Sequence, residues 1–240
     1  MLYLGHKRDY AKYIVPLLQQ IIYKHNIKIF IDGCCGGCNI IKDIKCERRI
    51  GIDHDEYLIA FYQYIQNTKN PQLFKITKEQ WDLCRKYYEL FPKWFVGYVS
   101  IFASYLYGGF KKGYVGDKID CDYIGNRIAI LKEEIPSLKN IEFICQDIND
   151  IVAKDCLIYI DPPHYNLKRY NFDLFFNYTI FWNTVRQLSV DNIVIVSEYQ
   201  APSDFFCIWE EDTYRQTIKK KNTEKLFIWK ESKGEINGSI

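Results

Sequence analysis

The sequence lacks several features that would assign it to other classes of protein. No apolar run approaches the roughly 18 residues that a membrane-spanning helix needs. Neither an internal repeat nor a low-complexity linker is present, and no charged-then-apolar leader opens the chain, so we expect a cytoplasmic protein. The formal net charge is only +2. No overall basic field therefore indicates a nucleic-acid partner, although 32 Lys and Arg can still cluster on one face.

Disulfide pairing is also not indicated. The nine cysteines are an odd number, scattered through apolar strings, which is typical of a reduced intracellular protein. Cys35 and Cys38 match a Cys-x-x-Cys pair, for which a redox or zinc role is an alternative interpretation. One pair without a second pair is weak evidence for structural zinc, and we predict no metal site.

What the sequence does contain is a strand that ends at an acid and two prolines. The apolar run from Cys156 to Ile160 is typical of a buried parallel strand, and it stops at Asp161-Pro162-Pro163 because proline cannot donate to a sheet ladder. Asp161 is thereby placed at the carboxyl edge of a sheet, where open α/β folds bind their ligands.

Three other predicted strands end in the same way, at Asp32, Asp53 and Asp147. The chain length suits one large α/β domain, and four acids at one edge predict a ligand site that prefers hydrogen-bond donors. The predicted strands are 28–32, 49–53, 141–145, 156–160, 192–197, 205–209 and 226–229. The predicted helices are 10–23 with Asp9 as its cap, 57–65, 78–91 and 176–188.

A glycine-rich turn follows the first strand, at residues 33–38. In a doubly wound sheet such glycines let the backbone approach a ligand at a helix N-terminus. Asp53 comes about 20 residues after the glycines, the offset at which nucleoside-binding folds place a carboxylate against ribose hydroxyls.

Residues 72–127 differ in composition, because glycine, aromatic and lysine residues interleave there. Lys111, Lys112 and Tyr114 lie in this part of the chain. Such a segment suits contact with nucleic-acid phosphates and bases, and a plain glycine-rich cover loop is about equally compatible with it. We interpret it as a substrate-facing insert.

In this order the pieces resemble the Dam-like (D12 class) N6-adenine DNA methyltransferases, particularly the small phage and prophage forms, over nearly the whole chain. Asp161-Pro162-Pro163-His164 is similar to the Asp-Pro-Pro-Tyr motif of amino-group methyltransferases. The other matching pieces are 3–7, 32–38, 53–60, the insert, Asp147 and 197–205.

The resemblance implies a Rossmann-like class I methyltransferase fold with a seven-stranded mixed sheet. Residues 1–71 and 128–240 would form the catalytic domain, which binds S-adenosylmethionine, and 72–127 a small target-recognition insert. The implied reaction is methyl transfer to N6 of a flipped-out adenine in double-stranded DNA. The implied protein is a monomer or weak dimer without membrane contact, in a bacterial or phage-infected cell, with or without a restriction partner.

The resemblance also implies roles for individual residues. Asp161, Pro162, Pro163 and His164 would be catalytic, because a carboxylate and a rigid carbonyl can hold the hydrogens of a poorly nucleophilic aromatic amine. The implied cofactor-binding residues are Tyr3, Lys7, Asp32, Gly33, Cys34, Gly36, Asp53, Asp147, Ile148 and Asp161. The implied substrate-binding residues are Lys111, Lys112, Tyr114, Tyr165 and Tyr170.

Three positions depart from the family pattern. His164 stands in place of the usual tyrosine, and Gly33 and Cys34 replace an aromatic residue and a proline. Imidazole still stacks on a base, but over a smaller area, so we expect His164→Tyr to preserve or raise methylation. Two alternatives stay open: a non-catalytic relative that binds nucleotide or DNA, and a methyltransferase acting on RNA or on cytosine N4.

Overall fold

Helices and strands alternate along the chain, of which this computed structural model describes residues 7–116, 121–163, 176–215 and 220–232. Tyr3, His164, Tyr165 and Tyr170 lie outside the described residues. The helices are α1 (Arg8–Lys24), α2 (Glu56–Asn67), α3 (Lys78–Lys86), α4 (Lys93–Phe102), α5 (Tyr123–Leu138) and α6 (Tyr178–Asp191). The strands are β1 (Ile29–Asp32), β2 (Arg48–Asp53), β3 (Ile141–Cys145), β4 (Leu157–Ile160), β5 (Ile193–Glu198), β6 (Phe205–Arg215) and β7 (Lys220–Trp229).

One seven-stranded sheet in the order β3-β2-β1-β4-β5-β7-β6 organises the molecule. The five strands from β3 to β5 pair in parallel, and β7 runs antiparallel between β5 and β6. A doubly wound sheet whose last strand is inserted antiparallel is the arrangement of the Rossmann-like class I methyltransferases. The predicted fold class and seven-stranded mixed sheet are confirmed.

Both faces of the sheet are buried, which explains why its central strands are apolar without interruption. Successive side chains of a strand point to opposite faces. Leu157 and Tyr159 join the core cluster beneath α1, α2, α4 and α5, whereas Ile158 and Ile160 join the cluster beneath α6. The same alternation assigns each strand-end acid to a face.

Several predicted elements need correction. Helix α1 begins at Arg8 and Lys7 is its N-cap, so Asp9 lies in the first turn and is not the cap. The glycine-rich turn leads into a single 3-10 turn, Ile41–Asp43, where a doubly wound sheet generally has the N-terminus of a helix. Helix α3 ends at Lys86, since the chain leaves helical geometry at Tyr87, and β6 and β7 are longer than their apolar cores because their outer halves pair with each other.

The segment 72–127 packs directly on the rest of the protein. Trp81, Tyr98 and Phe102 are buried in the same cluster as the apolar residues of α2. The Trp81 indole N–H donates to Ser104 Oγ at 2.9 Å, and the Tyr98 hydroxyl donates to the Phe74 carbonyl at 2.6 Å. The role of this segment in target recognition stays a prediction. Within the described ranges, no helix is both long and apolar enough to cross a membrane.

Candidate active site

Three acids meet at the carboxyl ends of neighbouring strands. Asp32 ends β1, Asp53 ends β2 and Asp161 follows β4, and β1 lies between the other two strands. By strand alternation all three side chains belong to the face that α1 and α2 cover, because Phe30 and Tyr159, two residues earlier on β1 and β4, lie in that cluster. The predicted grouping of these acids at one edge is therefore present in the structure.

Asp32 is the most enclosed of the three, with 2% of its surface exposed. Burial raises the pKa of this carboxyl well above its ordinary range, and the nearby charges of Asp161 and Asp53 raise it further. The backbone N–H groups of Cys34 and Ile41 donate to the carboxylate and oppose the shift. Oδ1 of Asp32 has no hydrogen-bond partner among the described residues, so a cationic donor brought to this oxygen would relieve an unsatisfied buried acceptor.

The turn after β1 is held close to the sheet. Gly33 N–H donates to the Tyr159 carbonyl at 2.8 Å, and a Cβ at Gly33 would lie 3.3 Å from Cγ1 of Ile160. Gly36 has a φ of +41°, which L side chains adopt at a cost. Its N–H donates to Asp53 Oδ2 at 3.0 Å, and its carbonyl accepts from the Tyr62 hydroxyl at 2.6 Å. The turn and the β2 carboxylate thus form one rigid unit.

The cysteines of this turn are weakly acidic. Cys34 is half-buried, and its pKa is raised well above the ordinary value by burial and then by the Asp53 and Asp161 charges. Burial also raises the pKa of Cys35, as does its hydrogen bond with Cys38. A thiol that resists ionisation is a poor nucleophile and a poor metal ligand. In the parts of the chain that the structure describes, no group of three or more His, Cys, Asp or Glu side chains is arranged so that it could hold a metal ion.

Asp147 follows β3 at the outer end of the same edge. Its Oδ1 accepts from the Asn149 N–H at 2.8 Å and so begins a 3-10 turn, Ile148–Asp150. The side chain of Asp147 is exposed and that of Ile148 is buried. An exposed carboxylate beside a buried apolar side chain is chemically suited to bind the amino group and the ring of a purine.

Asp161 begins the ledge formed with Pro162 and Pro163. Pro162 is buried, and the Pro163 carbonyl accepts a hydrogen bond from the hydroxyl of Tyr178, the first residue of α6. The ledge is therefore fixed by the rings of the prolines and by a tie to the helix that follows.

Lys7 makes an ion pair that the sequence did not indicate. Its Nζ lies 3.0 Å from Asp161 Oδ1 and 3.0 Å from Glu224 Oε1. Only 5% of the lysine side chain is exposed, against 17% for Asp161 and 2% for Glu224. Burial lowers the pKa of Lys7, but the charges of Asp161 and Glu224 outweigh burial and raise it above the ordinary value. We name these three residues the ion triad.

Glu224 is the site residue that sequence reasoning missed. It stands in a stretch rich in Lys and Glu, which resembles a solvated tail. The useful signal is the alternation of Glu224 with Leu226 and Ile228, because this pattern puts the carboxylate on the face that carries two core residues.

The predicted substrate-binding residues of the insert lie on a glycine-flanked turn. Lys111 and Lys112 are exposed in the 3-10 turn Phe110–Lys112, between Gly109 at φ +68° and Gly113 at φ +79°. Tyr114 is half-buried, and its hydroxyl donates to the Ile76 carbonyl at 2.6 Å. The two lysines present charge to solvent, whereas the tyrosine hydroxyl is engaged within the insert.

Comparisons with known proteins add little to this geometry. No protein-family model and no curated protein sequence matches the chain. Solved structures that are similar include the rRNA methyltransferase AviRa from Streptomyces viridochromogenes, with 8% identity, a TM-score of 0.39, and coverage of 92% of this chain and 84% of that one. Another is PH1948 from Pyrococcus horikoshii, provisionally named an RNA methyltransferase, with 8% identity, a TM-score of 0.40, and coverage of 90% and 82%. The fold is assigned from the strand order β3-β2-β1-β4-β5-β7-β6 of the sheet.

Proposed function

We propose that this protein transfers a methyl group from S-adenosylmethionine to N6 of adenine in DNA. The observation that carries the proposal is Asp161 at the start of a diproline ledge, beside the strand-end acids Asp32 and Asp53, on a sheet with the methyltransferase strand order. Asp32 Oδ1 is a buried acceptor without a hydrogen-bond partner among the described residues, and it suits the ammonium of the cofactor's methionine part.

The residues of the edge fit the cofactor in chemical type. Asp32, Gly33, Cys34 and Gly36 would line the methionine part, and Lys7 would border it through its contact with Asp161. Both Asp53 oxygens accept backbone N–H groups, from Gly36 and Asp55, and each can accept a further hydrogen bond from a ribose hydroxyl. Asp147 and Ile148 would receive the adenine ring. When bound, S-adenosylmethionine supplies an electrophilic methyl group on a sulfonium.

Asp161 and Pro162 would prepare the acceptor amine. The lone pair of an aromatic amine is delocalised into the ring, so the nitrogen becomes nucleophilic only as it turns pyramidal. A carboxylate oxygen of Asp161 and the carbonyl of Pro162 can each accept one N–H, and the two proline rings keep these acceptors in fixed positions. As the nitrogen gains positive charge, the carboxylate stabilises that charge and draws away the departing proton.

A target base in duplex DNA would have to flip out of the helix to reach the site. Flipping the base costs a few kcal/mol, which stacking in the pocket partly offsets. Lys111 and Lys112 are suited to phosphate contacts, whose strength falls with salt. In this proposal residues 72–127 hold the duplex while the edge of the sheet holds the base.

A methyl-transfer assay tests the proposal. Purified protein is incubated with S-adenosylmethionine labelled in the methyl group and unmethylated genomic DNA, and the nucleosides are then identified by mass spectrometry. We expect N6-methyladenine. Label only in N4-methylcytosine, label only when RNA replaces DNA, or no label despite measurable cofactor binding would each overturn the proposal.

Asp161→Ala tests the assigned residue. We expect transfer to fall by about 10²-fold or more, since a catalytic hydrogen-bond partner is lost, while cofactor affinity measured by calorimetry stays within about threefold of the wild-type value. Asp191→Ala is the matched control, because Asp191 is exposed at the end of α6, just before β5 begins. Unchanged turnover in Asp161→Ala would refute the catalytic role.

A further inference from the structure

We propose that Glu224 is a positioning residue, which holds the Lys7 ammonium against Asp161 so that the ion triad fixes the orientation and charge of the Asp161 carboxylate. This inference rests on the proposed function only in giving Asp161 a catalytic role. The geometry of the triad itself is independent of the reaction.

The first support is that the Lys7 ammonium is buried and is compensated by the two carboxylates of the ion triad. An ammonium removed from water costs several kcal/mol unless partners compensate it. Lys7 has both compensating carboxylates at 3.0 Å. One cation between two anions leaves a net charge of −1, so Asp161 shares its ammonium and stays a stronger acceptor than it would be in a neutral pair.

The second support is that Glu224 is itself fixed from another strand. Ser197 lies opposite Leu226 in the β5–β7 pairing, and its hydroxyl donates to Glu224 Oε1. Lys7 is fixed in turn, because its carbonyl accepts the N–H groups of Tyr10 and Ala11 in the first turn of α1. Three elements, α1, β5 and β7, therefore determine where the ammonium meets Asp161.

Other titratable groups also face Asp161 from the elements around it. Asp32 at the end of β1, Cys34 in the glycine-rich turn and Tyr159 on β4 all sense its charge. Burial is the first cause of a raised pKa in each of these groups, so they keep their protons further up the pH scale. Among the described residues, Lys7 and Glu224 are the other two charges of the ion triad, and a mutation can remove either one to change the field at Asp161.

Removing the Lys7 charge and removing the Glu224 charge should shift the protonation of Asp161 in opposite directions. Without the Lys7 charge, two carboxylates face each other and one holds a proton to higher pH. Without the Glu224 charge, Lys7 no longer divides its charge between these two carboxylates, and Asp161 holds its proton only at lower pH. A merely structural role for Glu224 predicts no such opposition.

Carbon-13 NMR of the aspartate side-chain carboxyls measures the protonation of Asp161 without any substrate. The Asp161 signal is assigned with Asp161→Asn, and its titration midpoint is followed in each variant. We expect Lys7→Met to raise the midpoint by about 1–3 pH units and Glu224→Gln to lower it by about one unit. Glu210→Gln is the matched control: its carboxylate is 60% exposed on β6 and pairs with Lys225, and it should leave the midpoint unchanged.

The double variant Lys7→Met/Glu224→Gln keeps the test valid if a single variant fails to fold. Removing a buried ion pair as a whole is better tolerated than leaving one charge unpaired. Because Lys7 contacts Asp161 directly and Glu224 acts through it, the midpoint in the double variant should lie above that of wild type and below that of Lys7→Met. A wild-type midpoint in either the double variant or Glu224→Gln would overturn the proposal.

The pH profile of methyl transfer separates this inference from the proposed function. We expect the acidic limb of kcat to move in the same directions as the NMR midpoints, with kcat about 10- to 100-fold lower in Glu224→Gln and KM for the cofactor little changed. If the Asp161 midpoint shifts in opposite directions in the two single variants but no methyl transfer is detected, the role of Glu224 is supported and the proposed function is rejected. Methyl transfer with unmoved midpoints would keep the function and reject the role of Glu224.

Discussion

Gly97 of α4 lies directly against the backbone of Tyr57 in α2. A Cβ added at Gly97 would be 2.2 Å from the Tyr57 carbonyl oxygen and 2.7 Å from its carbonyl carbon. Neither atom is the end of a flexible side chain, so a larger residue could be accommodated only if the two helices moved apart.

Gly97→Ala should therefore destabilise the protein although alanine favours helix more than glycine. Overpacking of this kind costs about 1–3 kcal/mol, and urea unfolding measures the loss. Ser100→Ala, on the same helix, is the control and should change stability by about 0.5 kcal/mol at most. Equal stability of Gly97→Ala and wild type would show that α4 is not seated on α2 in this way.

Asp32→Asn should stabilise the protein and, under the proposed function, weaken binding of S-adenosylmethionine. In the unfolded chain the carboxyl ionises near its ordinary pKa of 3.8, whereas burial holds the proton in the folded protein. The favourable contribution of the protonated form is full below pH 3.8 and is lost as pH rises through the folded pKa. Asparagine avoids that loss, so the variant should gain roughly 1–3 kcal/mol at pH 8, the scale of an unsatisfied buried polar group.

Urea unfolding at pH 4 and pH 8 measures the gain from Asp32→Asn, which should shrink at the lower pH. In the same variant, affinity for S-adenosylmethionine should fall by about tenfold or more, which corresponds to about 1.4 kcal/mol. A variant that is less stable than wild type at pH 8 would contradict the desolvation of Asp32.

Asp204→Asn should destabilise the protein at neutral pH and have no effect in strong acid. Arg186 of α6 donates to this carboxylate through Nε at 2.7 Å and Nη2 at 2.9 Å, and the Trp229 indole donates at 3.1 Å. The hydrogen bond from Arg186 lowers the pKa of Asp204 from 3.8 to about 2. The contribution of the ionised Asp204 carboxylate to the free energy of unfolding is present above pH 3.8 and is lost as pH falls through about 2.

We expect the Arg186–Asp204 pair to contribute only about 0.5–1 kcal/mol to the free energy of unfolding. The reason is that 41% of the Asp204 side chain is exposed, so water screens the charges. Unfolding free energies of wild type and Asp204→Asn should differ at pH 6 and converge near pH 2. Glu210→Gln, at an exposed pair, gives the baseline for losing a surface carboxylate. A difference that persists at pH 2 would point to packing instead of charge.

Arg127→Met should loosen the attachment of residues 102–107 to α5. The guanidinium donates through Nη1 to the carbonyls of Phe102 and Ser104, both at 2.8 Å, and lies 3.7 Å from the centre of the Tyr107 ring. Methionine would leave two buried carbonyls without this donor, at a cost of about 1–3 kcal/mol. Hydrogen exchange should rise at residues 103–115, where Val115 N–H donates to the Ala103 carbonyl.

Arg127→Lys is the conservative comparison for that experiment. Lysine keeps the charge but lacks the planar fork that can donate and stack at the same time. It should recover part of the stability and leave exchange at 103–115 intermediate. If Arg127→Met and wild type exchange alike, the guanidinium does not anchor this segment to α5.

Strand-end acids such as Asp32 and Asp161 could be predicted from the sequence because a buried parallel strand is a short apolar run with a sharp end. Helices α4 and α5 were not predicted: α4 is apolar on most of its surface since it is buried on several sides, and the helical pattern of α5 was not recognised. The ion triad depends on contacts between residues 7, 161 and 224, and no local pattern encodes such a distance. The roles assigned to Tyr3, His164, Tyr165 and Tyr170 stay predictions.

The ion triad also joins distant stretches of the polypeptide, since Lys7 precedes the first helix and Glu224 lies in the last strand. Strand β7 must therefore be synthesised before Glu224 can contact Lys7 and complete the ion triad around Asp161. Nascent chains and proteolytic fragments that end before residue 220 would contain the diproline ledge but would lack Glu224. Their Asp161 would therefore lack the complete ion triad. The surroundings of Asp161 are thus completed only after β7 has been synthesised and has paired with β5.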